Sequence, residues 1–364
     1  MYAMGPPFRA EHVGSLLRPR RLKNAFADFQ ANKIPPAELE ETIDECIADV
    51  IRLQEDCGMR SITDGEFRRG SWFLGFVDAV DGLTTRPARF NFSGDHAAWS
   101  CPHAEGKLRR VDDIAVDEYE FVKENTARLP KVTMPSPSAA HFLGAAEGAG
   151  EGAYADLDAL FEDLAVIYRQ EIEALDKSGC EFVQLDEVPI AMLCDPKVQE
   201  AVRASGQDPD ALVSRYIAAI NAALEGRPED MMIGLHLCRG NYKGQWMAEG
   251  GYAPVADRLF RDANVDAFFL EYDSERAGDF SPLAAMPDDK IVVLGLVSTK
   301  TPELEEADAL KRRIDDAAKY VPMDRLALSP QCGFASSVGG NPVTEDDERR
   351  KLTLVADVAA EVWG

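Results

Sequence analysis

His236, Leu237 and Cys238 end a short apolar run. Side chains alternate along a β-strand, so in an H-x-C triplet the imidazole and the thiol face one side, about 7 Å apart. A single metal ion can span that gap. Glu271 and Cys332 close two later apolar runs, and one imidazole, two thiols and a carboxylate are the nitrogen, sulfur and oxygen donors that zinc accepts. The four residues can meet around one Zn2+ ion if their strands end at a common place. From spacing alone a plainer reading stands beside this one, because a buried histidine next to a small apolar cysteine is the commoner fate of such a pair. Cys101-Pro102-His103 has a comparable spacing but lies away from any strand end and reads as a loop.

The elements that must bring those ends together are legible as short apolar runs alternating with amphipathic stretches, the pattern of a parallel sheet wrapped by helices. Eight runs qualify as strands: Glu11 to Ser15, Arg60 to Glu66, Lys131 to Ser136, Cys180 to Val188, Met231 to Cys238, Ala267 to Asp273, Lys290 to Val297 and Leu326 to Phe334. Helices are expected over Pro36 to Cys57, Ala155 to Ser178, Asp208 to Glu225, Thr301 to Lys319 and from Thr344 to the end. Thr301-Pro302-Glu303 has the form of an N-cap, a proline at the first helical position and an acid in the first turn. The fold class is therefore α/β, a (β/α)8 TIM barrel forming one catalytic domain over residues 1–364. Periodicity fails after Asp81, and residues 82–128 are expected to be an insertion after the second strand, with Arg86 to Arg110 as a small hairpin subdomain.

A barrel of this kind delivers the C-terminal ends of its strands to one mouth. The polar residues there are His12, Ser15, Asp64, Glu66, Asp186, Glu187, His236, Cys238, Glu271, Asp273, Lys300 and Cys332. Gly144 to Gly152 is rich in glycine, but Glu147 and Glu151 make it a poor phosphate cradle.

Composition narrows the partners. The 364 residues are 46% hydrophobic and 28% charged, an ordinary globular balance, and 39 bases against 64 acids leave a net charge of −25. That charge repels phosphate backbones and anionic bilayers, so neither nucleic acid nor membrane is an expected partner. The first ten residues lack the apolar core of a signal peptide, and the seven cysteines are odd in number and show no disulfide spacing. A cytoplasmic location is expected.

Seven motifs occur in order along nearly the whole chain. They are His12-Val13-Gly14-Ser15-Leu16-Leu17-Arg18-Pro19, Thr63-Asp64-Gly65-Glu66-Phe67-Arg68-Arg69, Gln184-Leu185-Asp186-Glu187, His236-Leu237-Cys238-Arg239-Gly240-Asn241, Phe269-Leu270-Glu271-Tyr272-Asp273, Gly295-Leu296-Val297-Ser298-Thr299-Lys300-Thr301-Pro302 and Ser329-Pro330-Gln331-Cys332-Gly333-Phe334. Together they resemble the cobalamin-independent methionine synthase family, in particular its catalytic C-terminal barrel and its short single-barrel members. The resemblance implies a zinc cofactor on His236, Cys238, Glu271 and Cys332. It also implies that Glu66 and Asp186 hold the amino group of homocysteine while the Ser15 region receives its carboxylate. Methyl transfer to the metal-activated thiol, giving methionine, is the implied reaction. The structural alternative for Glu66 and Asp186 is an ion pair with Arg68 or Arg69 at a strand end.

Two departures from the family bear on the methyl donor. Full-length members carry a further barrel for polyglutamylated folate, which 364 residues do not accommodate. Lys300 stands where those enzymes place a catalytic histidine thought to protonate the departing folate nitrogen, and lysine is a poor acid near neutral pH unless its pKa is lowered. The donor is thus expected to be methyltetrahydrofolate or a methylcorrinoid, the latter brought by a corrinoid protein and leaving as cobalt(I) without a proton. Rival readings are an epoxide-opening coenzyme M transferase, a decarboxylase of the uroporphyrinogen type and a non-catalytic acidic scaffold. The first supplies a thiol with a sulfonate and no amine, the second wants cations around a polyacid, and both suit an acid-rich mouth poorly.

Overall fold

The computed structural model describes residues 8–93, 99–143 and 153–364 of the chain, and the glycine-rich run at 144–152 lies outside them. Ten strands follow one another among the described residues: β1 (Ser61–Ile62), β2 (Val80–Pro87), β3 (Ser100–Arg110), β4 (Leu129–Pro130), β5 (Val132–Pro135), β6 (Phe182–Glu187), β7 (Met232–Leu237), β8 (Ala267–Glu271), β9 (Ile291–Val297) and β10 (Leu326–Pro330). Six of them form one parallel sheet in the order β10-β9-β8-β7-β6-β5. Their residues are buried on both faces, Ile291 alone being half-exposed, which is why these runs are apolar without alternation. The register sets Asp186 beside His236 and Glu271 beside Gly295, so the C-terminal ends lie along one edge.

At its flanks the sheet meets shorter pieces. β1 pairs in parallel with β4, and the Lys131 N–H donates to the Ile62 carbonyl at 2.8 Å just before β5 begins. On the other side Ala10 bridges Leu328 in β10. The expected first strand does not form. Beyond Ala10 its carbonyls are taken by side chains, with Lys131 on His12, Gln184 on Val13 and Thr63 on Gly14, while Gly14 adopts φ +139°. The result is a mixed α/β fold about a parallel sheet.

Helices over Pro36–Asp56, Leu157–Ser178, Pro209–Ala223 and Glu345–Trp363 agree with the periodicity to within two residues at each end. The last opens on a capping box between Thr344 and Asp347. The helix expected from Thr301 starts instead at Ala307 and ends at Ala317. Residues 301–306 are held out of it because the Glu305 carboxylate accepts from the Ser298 N–H at 2.7 Å and from Lys351 at 3.1 Å. No helix among the described residues is long and apolar enough to cross a membrane.

β2 and β3 form an antiparallel hairpin whose register shifts between Asp81 and Leu83. Gly82 sits in that shift at φ +86°, where an added Cβ would lie 2.4 Å from the Lys107 carbonyl. Inside the sheet Phe182, Met232, Ala267, Phe269, Val293 and Ala327 make a small apolar cluster. Above it the buried Lys131 pairs with Glu11 at 3.0 Å and lies 5.2 Å from the rings of Phe182 and Phe269.

Candidate active site

His236 is the penultimate residue of β7, Cys238 follows that strand, and Cys332 lies two residues beyond β10. All three side chains are buried, and their ligating atoms lie within 4.8 Å of one another. Neither ring nitrogen of His236 has a hydrogen-bond partner among the described residues. A buried imidazole with two orphaned nitrogens is costly by itself, and two sulfurs beside it complete a donor set that suits zinc. The neighbouring thiols move apart in acidity: Cys332 is held well below the ordinary thiol range by Cys238 and His236, and Cys238 is driven well above it by Cys332 and burial. Burial disfavours a charged His236, but the Cys332 thiolate outweighs it and raises the imidazole.

Glu271, the fourth expected ligand, does not join this group. One carboxylate oxygen meets Arg276 and, at 3.1 Å, Lys300, while the other accepts from the Arg239 N–H at 2.8 Å. Burial alone would raise its pKa, but Lys300, Arg239 and Arg276 hold it well below the usual carboxylate range. Lys300 is bound to Asp273 at 3.0 Å as well and is not part of the cavity wall. The lysine thus lies in a buried ion-pair cluster with Glu271 and Asp273. His12 donates its Nε2–H to the Ser61 carbonyl at 3.1 Å, and the Glu187 carboxylate accepts from the Ser138 hydroxyl at 2.6 Å; neither residue is part of the cavity wall.

Glu66, Asp186 and Ser15 reach the same cavity as the thiols, a space of about 350 Å³. Glu66 takes a left-handed φ of +60° after Gly65, and the Asp64 carboxylate accepts its N–H at 2.8 Å, so a tight turn aims the side chain inward. One Glu66 oxygen accepts from Thr133 at 3.0 Å, and the other is buried without a partner among the described residues. The ion-pair alternative is met in part, by Arg69 and not by Arg68. Arg68 is paired with Asp44, and Arg69 grips Glu118 while standing 3.9 Å from Glu66. Burial pushes Glu66 up to about 8, against the pull of Arg69 and with the help of Asp186. Burial also raises Asp186 to about 6, opposed by His236 and the Gln184 amide. Ser15 lies against Gly333, the residue after Cys332.

Three loops are stapled beneath this arrangement by Arg18, whose guanidinium is buried and donates to the carbonyls of Ala335, Glu66 and Arg69. Over it lies an aromatic wall of Trp72, Phe73, Phe92, Trp99 and Tyr242. The Phe92 ring packs at a tilt against Trp99, 5.2 Å between centroids, and against Tyr242 at 5.3 Å. Ser93 donates its N–H to the Trp246 carbonyl, so the segment joining β2 to β3 is fastened to the loop after β7. None of these aromatics was singled out from the sequence. The only signal was an insertion carrying Phe92 and Trp99 with no strand or helix period to bury them.

A family model described as "Cobalamin-independent synthase, Catalytic domain" matches residues 8–360. Over 361 residues the chain is 39% identical to the uncharacterized protein YxjH of Bacillus subtilis (strain 168), covering 98% of this chain and 95% of that one. It is 28% identical to the methionine synthase of Pyrococcus furiosus over 328 residues, 88% of this chain and 85% of the archaeal one. A solved Listeria monocytogenes structure, 35% identical, superposes with a TM-score of 0.78 over 98% of both chains.

Proposed function

The chain belongs to the cobalamin-independent synthase catalytic-domain family, and from that premise we propose that it is a zinc-dependent methyltransferase making methionine from homocysteine. The observation that carries this reading is one cavity shared by a buried imidazole–dithiol cluster and two buried carboxylates. His236, Cys238 and Cys332 would hold the metal, and Glu271 joins them only by exchanging its pairs with Lys300 and Arg276. Zinc, when bound, supplies a Lewis acid that keeps a thiol deprotonated and nucleophilic near neutral pH.

The protein's own groups do the rest. Glu66 and Asp186 accept hydrogen bonds from the ammonium of the amino thiol, and the unpartnered Glu66 oxygen is available for it. The Ser15 hydroxyl receives the carboxylate. The aromatic wall shields the sulfur from water and gives the methyl carrier an apolar surface to pack on. A carbon–sulfur bond forms as the bond from methyl to its carrier breaks, and the electron pair leaves with the carrier. A sulfonated thiol without an amine would put its charge near two carboxylates, which disfavours the coenzyme M reading.

The donor is methyltetrahydrofolate or a methylcorrinoid. The engagement of Lys300 with Glu271 and Asp273 favours the corrinoid, whose departure needs no proton. In the same reading the strands close into a single (β/α)8 barrel with the hairpin as an insertion. Its supports are the Ala10–Leu328 bridge at one joint and the Lys131–Ile62 hydrogen bond at the other. Protein purified without chelators should contain one zinc per chain and form methionine from homocysteine with one of the two donors. Absence of zinc, or failure to bind homocysteine, rejects the assignment. Turnover with folate alone rejects the corrinoid.

A further inference from the structure

Gln184 is fully buried in β6, two residues before Asp186 and on the same side of the strand, and it is not part of the cavity wall. Its Nε2 donates to the Val13 carbonyl at 2.6 Å and to the Asp186 carboxylate at 2.8 Å, and its Oε1 lies 3.4 Å from the Lys131 ammonium. The carbonyl and the carboxylate can only accept, and the ammonium can only donate. All three neighbours therefore demand one orientation of the amide, and a flip would set like against like on both sides. Lys131 is in turn anchored by Glu11 at 3.0 Å and by the His12 carbonyl.

The two hydrogens of one NH2 group thus join the segment that carries Ser15 to the strand that carries Asp186. These are the carboxylate-reading and ammonium-reading ends of the subsite proposed above, and the inference rests on that reading. We propose that Gln184 is the positioning residue of this subsite. By fixing Val13 against Asp186 it sets the span between the two ends, and so selects thiols that bear an amine and a carboxylate on the same carbon over thiols that bear only one of them. It touches no substrate itself.

The test compares three ligands by calorimetry on the zinc-loaded full chain: homocysteine, 4-sulfanylbutanoate, which lacks the amine, and 3-sulfanylpropylamine, which lacks the carboxylate. Two variants are used. Gln184→Glu keeps an oxygen for Lys131 but turns both donors into an acceptor, and Gln184→Met removes the amide while keeping the length. Both should weaken homocysteine by roughly 10- to 100-fold, the loss of one or two hydrogen bonds to a charged group, with zinc content unchanged. The two truncated thiols should bind within about twofold of wild type, since neither needs the span. Equal weakening of all three ligands means a general loss of structure and overturns the inference, as does homocysteine binding unchanged in both variants. Wild-type protein that binds homocysteine no better than the truncated thiols overturns the amino-thiol reading itself, an outcome separate from the other two.

Discussion

Gly333 leaves no room for a side chain, because a Cβ there would stand 1.9 Å from the Ser15 hydroxyl oxygen. Gly333→Ala should push Ser15 out of place and raise KM for homocysteine roughly tenfold or more, with metal content retained; the cost is that of a lost hydrogen bond to a charged carboxylate. Cys238→Ser and Cys332→Ser should each abolish zinc retention through gel filtration, read by elemental analysis, since removal of one thiolate leaves two of three gathered donors. His236, Cys238 and Cys332 were legible because strand alternation and strand ends are local properties of sequence. Glu271, Asp273 and Lys300 were found at strand ends by the same logic, but the arginines that pair with Glu271 were not. Arg239 and Arg276 reach Glu271 from loops, and no spacing rule announces a cation that arrives from a loop.

The hairpin is the element whose purpose was hidden. The sequence predicts a small hairpin there but no role for it, and the segment it closes presents Phe92 and Trp99 to the cavity and is fastened by Ser93 beyond β7. Phe92→Ala should open the wall and raise KM for the methyl donor several-fold while leaving homocysteine affinity measured by calorimetry unchanged. Strands β5 to β10 followed from apolar runs because both faces are covered, whereas the first run failed as a strand once side chains claimed its carbonyls. Of the two threonines that open expected helices, only Thr301 has a cap's form in the sequence, yet the structure reverses them. Thr344 caps a helix, and Thr301 does not, because Glu305 is drawn to Ser298 and Lys351 instead. Thr344→Ala should destabilise the chain by about 1 kcal/mol in urea denaturation.

Across the whole molecule, buried titratable groups set the dependence of stability on pH. Glu66 and Glu348 are raised by burial to about 8 from an ordinary 4.5, so the folded state binds protons the unfolded state releases. Their contribution is complete below the ordinary value and lost as pH climbs toward 8. His12 and His141, lowered chiefly by burial to about 3 and about 4 from 6.5, act in the opposite sense, and their contribution is lost as pH falls below 6.5. These groups predict a plateau between 4.5 and 6.5 with a decline on each side. Glu348→Gln should flatten the alkaline decline, raising the urea midpoint at pH 9 relative to wild type more than at pH 5. At the same scale the Arg18 staple has a consequence for altering substrate scope. Because one guanidinium clasps the segments bearing Glu66, Arg69 and Ala335, an engineer who repaints one of those segments drags the others along. The canopy contributed by Phe92 and Trp99 hangs from its own stem, and a mutant library confined to it would retune which alkyl carriers dock while the amino-acid seat stays as it was.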